Sequence, residues 1–237
     1  MREIVYGKNV VLSVLDGRRK VYQVYLSDSS SFETLIRKLK EKKIPYKIVS
    51  KKELDKFTTE NHQGVVAEVG EYEYYELDDI LQTKVKYPLL LMLDGIEDPH
   101  NLGAIIRTSE ACGVSGIILP KHRSAKITET VVKVSTGATE FVKVAIVTNL
   151  TETIKYLKKQ GYWIVGAEND PTSVEYHTLK YDMPVVLVIG SEGKGISRLV
   201  KENCDFLIKI PMRGHVTSLN ASVSAAILMY EIIKHQQ

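Results

Sequence analysis

Three short apolar runs in the second half of the chain are each followed by polar side chains. These polar residues are Asn101 and Arg107 after the first run, Glu192 after the second, and Ser218 and Asn220 after the third. Short runs of aliphatic and β-branched residues are typical of buried parallel strands. Ligands bind beyond the carboxyl ends of such strands in open α/β sheets. The pattern therefore predicts an enzyme whose active site lies at that edge of a sheet.

The turn that follows the second run, GSEGKG at 190–195, is rich in glycine. Glycine permits positive φ angles and close approach of the backbone to a ligand. The turn lacks the spacing of a Walker A phosphate loop, and Arg198 stands where GxGxxG requires its third glycine. Because Glu192 would oppose a phosphate, the turn favours a ligand with hydroxyl groups or positive charge.

Arg107 lies on a predicted helix, opposite the apolar side of that helix. Leu102, Ile105 and Ile106 share one face at 3.6 residues per turn, whereas Arg107 and Glu110 fall on the other. Two interpretations stay open at this point. Arg107 either forms a weak surface salt bridge with Glu110 or acts on a substrate.

Hydrophobic periodicity and glycine and proline punctuation predict the elements that position these residues. The first 72 residues form a compact α/β module with strands at Val21–Leu26, Tyr46–Val49 and Val65–Val69 and helices at Phe32–Lys43 and Lys51–Phe57. Residues 73–87 are acidic and aromatic without a sustained period, which predicts a linker. Residues 88–237 form a second α/β domain with strands at Leu89–Leu93, Gly116–Leu119, Trp163–Ala167, Val185–Ile189 and Phe206–Ile210, and helices at Asn101–Cys112, Thr151–Gln160 and Ser218–Lys234.

Bulk properties set further bounds on the 237-residue chain, which is long enough for one large or two small domains. No apolar run approaches the roughly 20 residues that a membrane span needs. Cys112 and Cys204 form neither a disulfide framework nor a metal motif, and the six histidines lack metal-ligand spacing. We therefore expect a cytoplasmic protein without a structural metal.

Positive charge is concentrated in the first domain. Residues 1–72 carry 14 Lys and Arg against 10 Asp and Glu, including the triplet Arg18, Arg19 and Lys20. A basic module suggests a polyanionic partner. A solvated helix face explains the same charge, so the count alone leaves both interpretations open.

The last predicted helix, SLNASVSAAILMYEII, is small or apolar on nearly every side, which is typical of a helix buried on most of its surface. Ala221, Ser222, Ala225 and Ala226 would allow close approach of another backbone. The helix either belongs to the core of its own domain or also packs against a second subunit.

Together the three polar segments resemble the motifs of the SpoU family of RNA ribose 2′-O-methyltransferases, which belongs to the SPOUT class. Asp98–Thr108 is similar to DPxNLGAIIRT, Val185–Gly195 to an apolar strand followed by GSEGxG, and Ile210–Ala226 to IPMxGxxxSLNxSVxAA. Asn61–Val69 and Pro120–Glu140 also resemble the subgroup that methylates a guanosine of large-subunit ribosomal RNA.

The resemblance implies a role for each motif residue in methyl transfer from S-adenosylmethionine to a ribose 2′-oxygen. It implies catalytic positions at Asn101, Arg107, Glu192, Ser218 and Asn220. It also implies that the cofactor is held mostly by backbone, at Thr136, Gly137, Ile189, Gly190, Glu192, Gly193, Ile210, Pro211, Met212, Ser218 and Leu219. An arginine stays protonated, since its pKa exceeds about 12, so Arg107 is expected to position and polarise the hydroxyl.

The resemblance further implies the architecture and partners of the protein. It predicts a SPOUT domain that ends in a deep trefoil knot and an amino-terminal RNA-binding domain of the ribosomal protein L30e type. Arg18, Arg19, Lys20 and Arg107 would contact RNA, and a homodimer would form through the last helix and the Asn101 helix. Alternatives are the same chemistry on transfer RNA, a non-catalytic RNA-binding or assembly factor and, more distantly, a nucleotide-binding phosphotransferase.

Overall fold

The computed structural model of the chain describes residues 2–236. Its strands are β1 (Arg2–Tyr6), β2 (Val21–Ser27), β3 (Tyr46–Val49), β4 (Val65–Gly70), β5 (Leu89–Asp94), β6 (Gly116–Pro120), β7 (Val144–Val147), β8 (Trp163–Ala167), β9 (Val174–Glu175), β10 (Val185–Gly190) and β11 (Phe206–Lys209). Its α-helices are α1 (Lys8–Asp16), α2 (Glu33–Glu41), α3 (Lys51–Leu54), α4 (Leu77–Leu81), α5 (Pro99–Cys112), α6 (Glu129–Val134), α7 (Leu150–Lys159), α8 (Arg198–Glu202) and α9 (Ala221–Gln236).

The chain forms two compact units that are discontinuous in sequence. The first unit contains the residues up to 73 together with 127–141, and the second contains 74–126 and 142–237. Three predicted boundaries differ from this division. The first unit extends to residue 73, and residues 74–87, predicted as a linker, belong to the second unit. Residues 127–141, predicted to lie in the second domain, belong to the first unit. A fragment of residues 73–237 would therefore carry a segment whose packing partners it lacks.

The first unit is built on a four-stranded mixed sheet in the order β1-β4-β2-β3. β4 is antiparallel to both neighbours, and β2 is parallel to β3. β1 and α1 were not predicted, although α1 buries Val10, Val11 and Val14. The predicted α/β module is present, and the side chains of β4 fill its centre.

The segment 127–141 packs within the first unit around a buried ion pair. Arg19 Nε donates to Glu140 Oε1 at 2.8 Å, and the two side chains are only 3% and 1% exposed. A second guanidinium nitrogen of Arg19 donates to Glu3 at 3.1 Å. The guanidinium of Arg19 is therefore buried and paired inside the unit, and its contact with RNA stays a prediction that this pairing disfavours. Arg18 and Lys20, on either side, are exposed.

The second unit contains a seven-stranded parallel sheet in the order β7-β6-β5-β10-β8-β11-β9. β10 lies between β5 and β8, so strands that are far apart in sequence are neighbours at the centre. The side chains of Leu89–Leu93 and Val185–Ile189 are all buried, as the apolar runs predict. The α/β class and the parallel sheet are confirmed. The trefoil knot stays a prediction, because strand order alone does not describe how the chain threads.

Residues 75–81, which lie within the predicted linker, pack on the core of the second unit. Ile80 of α4 is fully buried beside Leu90, Ile118 and Ala145. The backbone of Tyr75 also bridges to Ala145, at the end of the sheet formed by β7. A single buried turn is too short to produce the periodicity by which longer helices are predicted.

The last helix begins at Ala221 and packs against α5, so its predicted start at Ser218 is three residues early. Ala225 is fully buried within its own unit, whereas Val223 and Tyr230 are 46% and 54% exposed. The outward face of α9 is therefore apolar rather than small. Charge inserted at Ala225 would disrupt the unit itself, which makes it a poor probe of an interface.

Within residues 2–236, no helix is both long enough and apolar enough to cross a bilayer. Cys112 and Cys204 are free and partly buried. Burial raises the pKa of the Cys204 thiol to about 12 and also raises the pKa of Cys112. Both thiols therefore stay protonated at neutral pH and are unsuited to nucleophilic chemistry.

The buried pair predicts a local loss of stability in Arg19→Ala. Removing one partner leaves the Glu140 carboxylate buried and uncompensated, which costs about 3–5 kcal/mol. We expect faster amide hydrogen exchange in peptides from β1, α1 and α6, with the second unit unchanged, measured by mass spectrometry of the full chain. Lys20→Ala, an exposed neighbour, should cost under about 1 kcal/mol. Equal protection in the two variants would contradict this account of the pair.

Candidate active site

A cavity of about 380 Å³ lies beyond the carboxyl ends of β8, β10 and β11. Its walls are formed by the residues that follow each of these strands and by the first turns of α9. The floor is apolar and includes Ile189, Ile210, Met212, Leu219 and Leu228, while Glu168 and Glu192 supply the carboxylates. An apolar cleft with a few converging polar groups is the usual form of a small-molecule site. This is the edge of the sheet where the sequence predicts the site.

The loop Ser191–Gly195 closes tightly over β10. Ser191 N–H donates to Gly195 O at 3.1 Å, and Gly195 N–H donates back to Ser191 O at 2.9 Å. A Cβ on Gly190 would lie 2.2 Å from the carbonyl carbon of Gly195, so this position accepts only glycine. Gly193 has φ of +79°, but among residues 2–236 no heavy atom outside its chain neighbours lies within 4 Å of the position of its missing Cβ. The two motif glycines thus meet different requirements.

Asn101, Glu192 and Asn220 form one hydrogen-bonded cluster, although they are far apart in sequence. Asn101 Nδ2 donates to Glu192 Oε1 at 3.1 Å, and Asn220 Nδ2 donates to the same oxygen at 2.6 Å. Asn220 Nδ2 also lies 2.8 Å from Asn101 Oδ1, to which it donates. The structure therefore brings together one residue from each of the three sequence motifs.

The start of α9 anchors this cluster. Asn220 Oδ1 accepts hydrogen bonds from the backbone N–H of Ser222 at 2.9 Å and from its hydroxyl at 2.6 Å. The N–H of Ala221 donates to Glu192 Oε1 at 3.2 Å. A carboxylate is favoured at a helix N-terminus by the free N–H groups and by the helix dipole. Glu192 is thus held in place by α9 as well as by two amides.

A second cavity, of about 470 Å³, lies on the other side of the Ser191–Gly195 loop. Asn101 lines this second cavity, and Glu192 lines both. The second cavity is bounded by the loop between β5 and α5 and by residues that follow β6. The amide–carboxylate cluster therefore stands where two separate ligands would meet.

Most of the predicted cofactor residues line the first cavity. They are Ile189, Gly190, Glu192, Gly193, Ile210, Met212, Ser218 and Leu219. Pro211 lies between two lining residues. Thr136 and Gly137 belong to the first unit, where Ser13 Oγ donates to Thr136 O at 3.4 Å. Arg107 is exposed on α5 and, among the described residues, forms no ion pair with Glu110 or any other acid.

Three lining residues at the end of β8 and directly after it were missed: Ala167, Glu168 and Asn169. Glu168 Oε2 accepts the backbone N–H of Ile196 at 2.9 Å and so supports the glycine loop. The signal for them was present, because polar residues after a predicted parallel strand had indicated the other site residues.

The loop after β8 is fastened by Asp170. The backbone N–H and the hydroxyl of Thr172 and the ammonium of Lys201 hold the pKa of Asp170 well below its usual range. Asp170 is therefore charged at neutral pH and keeps this loop beside the cavity. Among residues 2–236, no three His, Cys, Asp or Glu side chains are grouped so that they could hold a metal ion.

Comparison with family models gives two matches that cover most of the chain. The model described as the SpoU rRNA Methylase family matches residues 88–230. The model described as RNA 2′-O ribose methyltransferase substrate binding matches residues 4–75. The two matches leave residues 76–87 between them, close to the first boundary between the units.

Individual proteins give the same result. A Bacillus subtilis (strain 168) protein named for the TrmH family of tRNA/rRNA methyltransferases is 47% identical over 98% of this chain and 95% of its own length. The AdoMet-bound rRNA methyltransferase of Sinorhizobium meliloti is 27% identical, with a TM-score of 0.83 over 99% of this chain and 87% of that one. The SpoU methyltransferase AviRb of Streptomyces viridochromogenes shares the fold, with 24% identity and a TM-score of 0.84 over 99% and 90% of the two chains.

The close contact at Gly190 predicts the effect of Gly190→Ala. The added Cβ forces the Ser191–Gly195 loop away from β10 and moves a wall of the first cavity. We expect at least a tenfold loss of affinity for S-adenosylmethionine, the cofactor predicted from the motifs, in a calorimetric titration. Gly193→Ala is the matched control, since its Cβ meets no atom and it carries only backbone strain of about 1–2 kcal/mol. Similar affinities in the two variants would contradict the proposed role of the loop.

Proposed function

The chain belongs to the SpoU family of RNA methyltransferases, and from this premise we propose that it methylates the ribose 2′-hydroxyl of a guanosine in large-subunit ribosomal RNA. S-adenosylmethionine is its cofactor. The observation that carries the proposal is the Asn101–Glu192–Asn220 cluster, which joins all three motifs at the boundary between two cavities. A methyl donor and a hydroxyl acceptor must meet at one point, and this boundary supplies it.

The first cavity suits S-adenosylmethionine in size and in chemistry. Its apolar floor can cover an adenine ring, and backbone groups of the glycine loop lie within reach of polar edges. The carboxylates of Glu168 and Glu192 complement a ligand that carries positive charge. Bound S-adenosylmethionine supplies a methyl group activated by a sulfonium. Thr136 and Gly137 remain proposed cofactor contacts on the resemblance alone.

The residues of the cluster orient the acceptor without competing with it for a proton. The amide of Asn101 and the hydroxyl of Ser218 can hold a ribose by hydrogen bonds, while Glu192 and Asn220 keep the Asn101 amide in place. A ribose hydroxyl is a weak nucleophile, so its alignment with the methyl group accounts for much of the rate. Positive charge near the oxygen stabilises the alkoxide character that develops during transfer.

Arg107 is the proposed source of that charge, and its position bears on how it acts. It lies six residues after Asn101 on α5, which is about 9 Å along the axis and about two thirds of a turn around it. Arg107 therefore lies on a different face of α5 from the one on which Asn101 contacts Glu192. Its guanidinium is exposed and has no acidic partner within residues 2–236. These facts favour action on a substrate that is held largely by a second subunit.

The outer face of α9 supports the proposal of a homodimer. Val223 and Tyr230 are two helical turns apart, and each is about half exposed. Ala226 and Ile227 lie between them on the same stripe. On the neighbouring α5, Ala111 is exposed beside Arg107. A contiguous apolar surface of this kind is a liability in a monomer, so we propose that a second copy covers it.

RNA recognition is assigned to the first unit. The family model for RNA 2′-O ribose methyltransferase substrate binding matches it, and Arg18 and Lys20 remain exposed for phosphate contact. Relatives are named for both tRNA and rRNA, so transfer RNA stays the second candidate substrate. The presence of every polar motif residue disfavours a non-catalytic factor. The free thiols fit the reducing cytoplasm, where these RNAs are made.

The reaction predicts a product that resists alkali at one position. Purified protein with labelled S-adenosylmethionine should label large-subunit ribosomal RNA, and the labelled position should survive alkaline hydrolysis because a methylated 2′-oxygen cannot attack the adjacent phosphate. Arg107→Ala should lower turnover by at least a hundredfold with cofactor affinity retained, since it removes charge from the transition state. Glu110→Gln, the matched control on the same face, should stay active.

Three outcomes would change the proposal. Label on a base would reject the ribose assignment, and preferential labelling of transfer RNA would replace the substrate. Near-normal turnover in Arg107→Ala would reject its catalytic role.

The dimer predicts that charge on the outer face of α9 separates the subunits. Tyr230→Arg should give monomers by light scattering. The substitution would bury an unpaired guanidinium of each subunit in the interface, which costs several kcal/mol. Leu199→Arg is the control: Leu199 is equally exposed, at 54%, but lies on α8. The control should remain dimeric. A dimer of undiminished stability in Tyr230→Arg would place the interface elsewhere.

A further inference from the structure

The second cavity is lined by polar groups whose tasks within the fold can be separated. Its acids are Asp94, at the end of β5, Glu97 and Asp98, in the residues between β5 and α5, and Glu192 of the glycine loop. Its cations are Arg123, after β6, and Lys194, at the tip of the glycine loop. A cavity that offers both free acceptors and free cations recognises a ligand with donors on one edge and acceptors on another.

Three of the four carboxylates are already used within the fold, and one of these is Glu192, which accepts from the amides of Asn101 and Asn220. Asp94 Oδ2 accepts the N–H of Ser197 at 2.7 Å, and Asp98 Oδ1 caps α5 by accepting the N–H of His100 at 2.9 Å. Glu97 lies between them in sequence, is exposed, and has no hydrogen-bond or ion-pair partner in the described part of the chain. Its carboxylate is therefore the acceptor that remains for a ligand.

Arg123 is the corresponding free donor. It has φ of +55°, a conformation that residues other than glycine rarely adopt, and its guanidinium pairs with no acid among residues 2–236. A backbone held in the left-handed region costs of order 1–3 kcal/mol and is often found where a side chain serves a ligand. The guanidinium lines the cavity together with Glu97 rather than neutralising it.

The two cavities share one wall, formed by the Ser191–Gly195 loop. If the first cavity holds the methyl donor, as the proposed function requires, the nucleotide that accepts the methyl group lies in the second. The cavity of about 470 Å³ is large enough for one nucleoside. A base bound in this cavity is no longer stacked on its neighbours in the RNA. Its edges are then available for hydrogen bonds with the protein.

Resting on the proposed function, we propose that the second cavity binds the base of the target nucleotide and that Glu97 and Arg123 select guanine. Guanine alone among the four bases presents two adjacent donors, N1–H and the 2-amino group, that one carboxylate can accept together. Its opposite edge carries two acceptors, O6 and N7, which match a guanidinium fork. Adenine and the pyrimidines lack one or both of these pairs.

The test replaces single atoms on the base and single residues on the protein. The RNA carries guanosine, inosine or 7-deazaguanosine at the mapped methylation position, and kcat/KM is measured for each. Inosine lacks the 2-amino group and should lower kcat/KM of the wild-type protein roughly tenfold to a hundredfold. In Glu97→Gln, kcat/KM for the guanosine RNA should fall to about the value that the wild-type protein shows for the inosine RNA. The difference in kcat/KM between guanosine and inosine should then nearly vanish.

The acceptor edge of the base is tested with a second analogue. 7-Deazaguanosine lacks N7 and should lower wild-type kcat/KM roughly tenfold, with no further loss in Arg123→Ala. Glu152→Gln is the control, since Glu152 is an exposed carboxylate on α7, paired with Lys155 at 2.8 Å. It should behave as wild type. Calorimetry with S-adenosylmethionine should give unchanged affinity in Glu97→Gln and Arg123→Ala.

The outcomes separate this inference from the function on which it rests. A protein that methylates no RNA fails the proposed function. A protein that methylates RNA fails the inference if the target is not guanosine, or if Glu97→Gln retains the full preference for guanosine over inosine. A loss of S-adenosylmethionine affinity in Glu97→Gln would also overturn it, because the cavity would then serve the first ligand.

Discussion

The hydrogen bonds around Glu192 Oε1 hold the site together. This one oxygen accepts from Asn101 on α5, from Asn220 before α9, and from the first N–H of α9. One donor comes from the first motif and two come from the third, so a single carboxylate of the second motif fixes the relative positions of two helices and the glycine loop. Charge-assisted hydrogen bonds are about twice as strong as neutral ones, which makes an acid the suitable residue here. A neutral amide oxygen at position 192 would accept the same bonds more weakly.

The centre of the fold could be predicted because burial on both faces leaves an unmistakable pattern. β5 and β10 are continuous aliphatic runs, and the sequence predicts both almost to the residue. No such pattern marks β9, which consists of two residues that are both exposed. The same is true of α8, in which a single residue is buried. Short elements at the edge of a sheet depend on their neighbours for stability, and their neighbours cannot be seen in a local window.

The sequence predicts which residues belong to the site, because they follow predicted parallel strands. It does not predict which hydrogen bonds they form with one another. Polar residues after parallel strands indicated Asn101, Glu192 and Asn220, but nothing in their spacing says that they bond to one another. Arg19 is the opposite case. A run of three basic residues predicts exposure for all of them, yet the middle one is buried against Glu140, which lies 121 positions away. Net charge describes composition, and it cannot tell which cations are already neutralised within the fold.

The shared wall between the cavities has a thermodynamic consequence. Two contacts fix the Ser191–Gly195 loop. Glu168 accepts the N–H of Ile196, directly after the loop, and Glu192 of the loop accepts the first N–H of α9. A ligand in either cavity contacts this same loop. If one ligand changes the loop, the affinity for the other ligand changes by the same factor in both directions, because binding free energies around a closed cycle must balance. Since the loop is so strongly fastened, its geometry is largely set before either ligand arrives, and little binding energy is spent on ordering it.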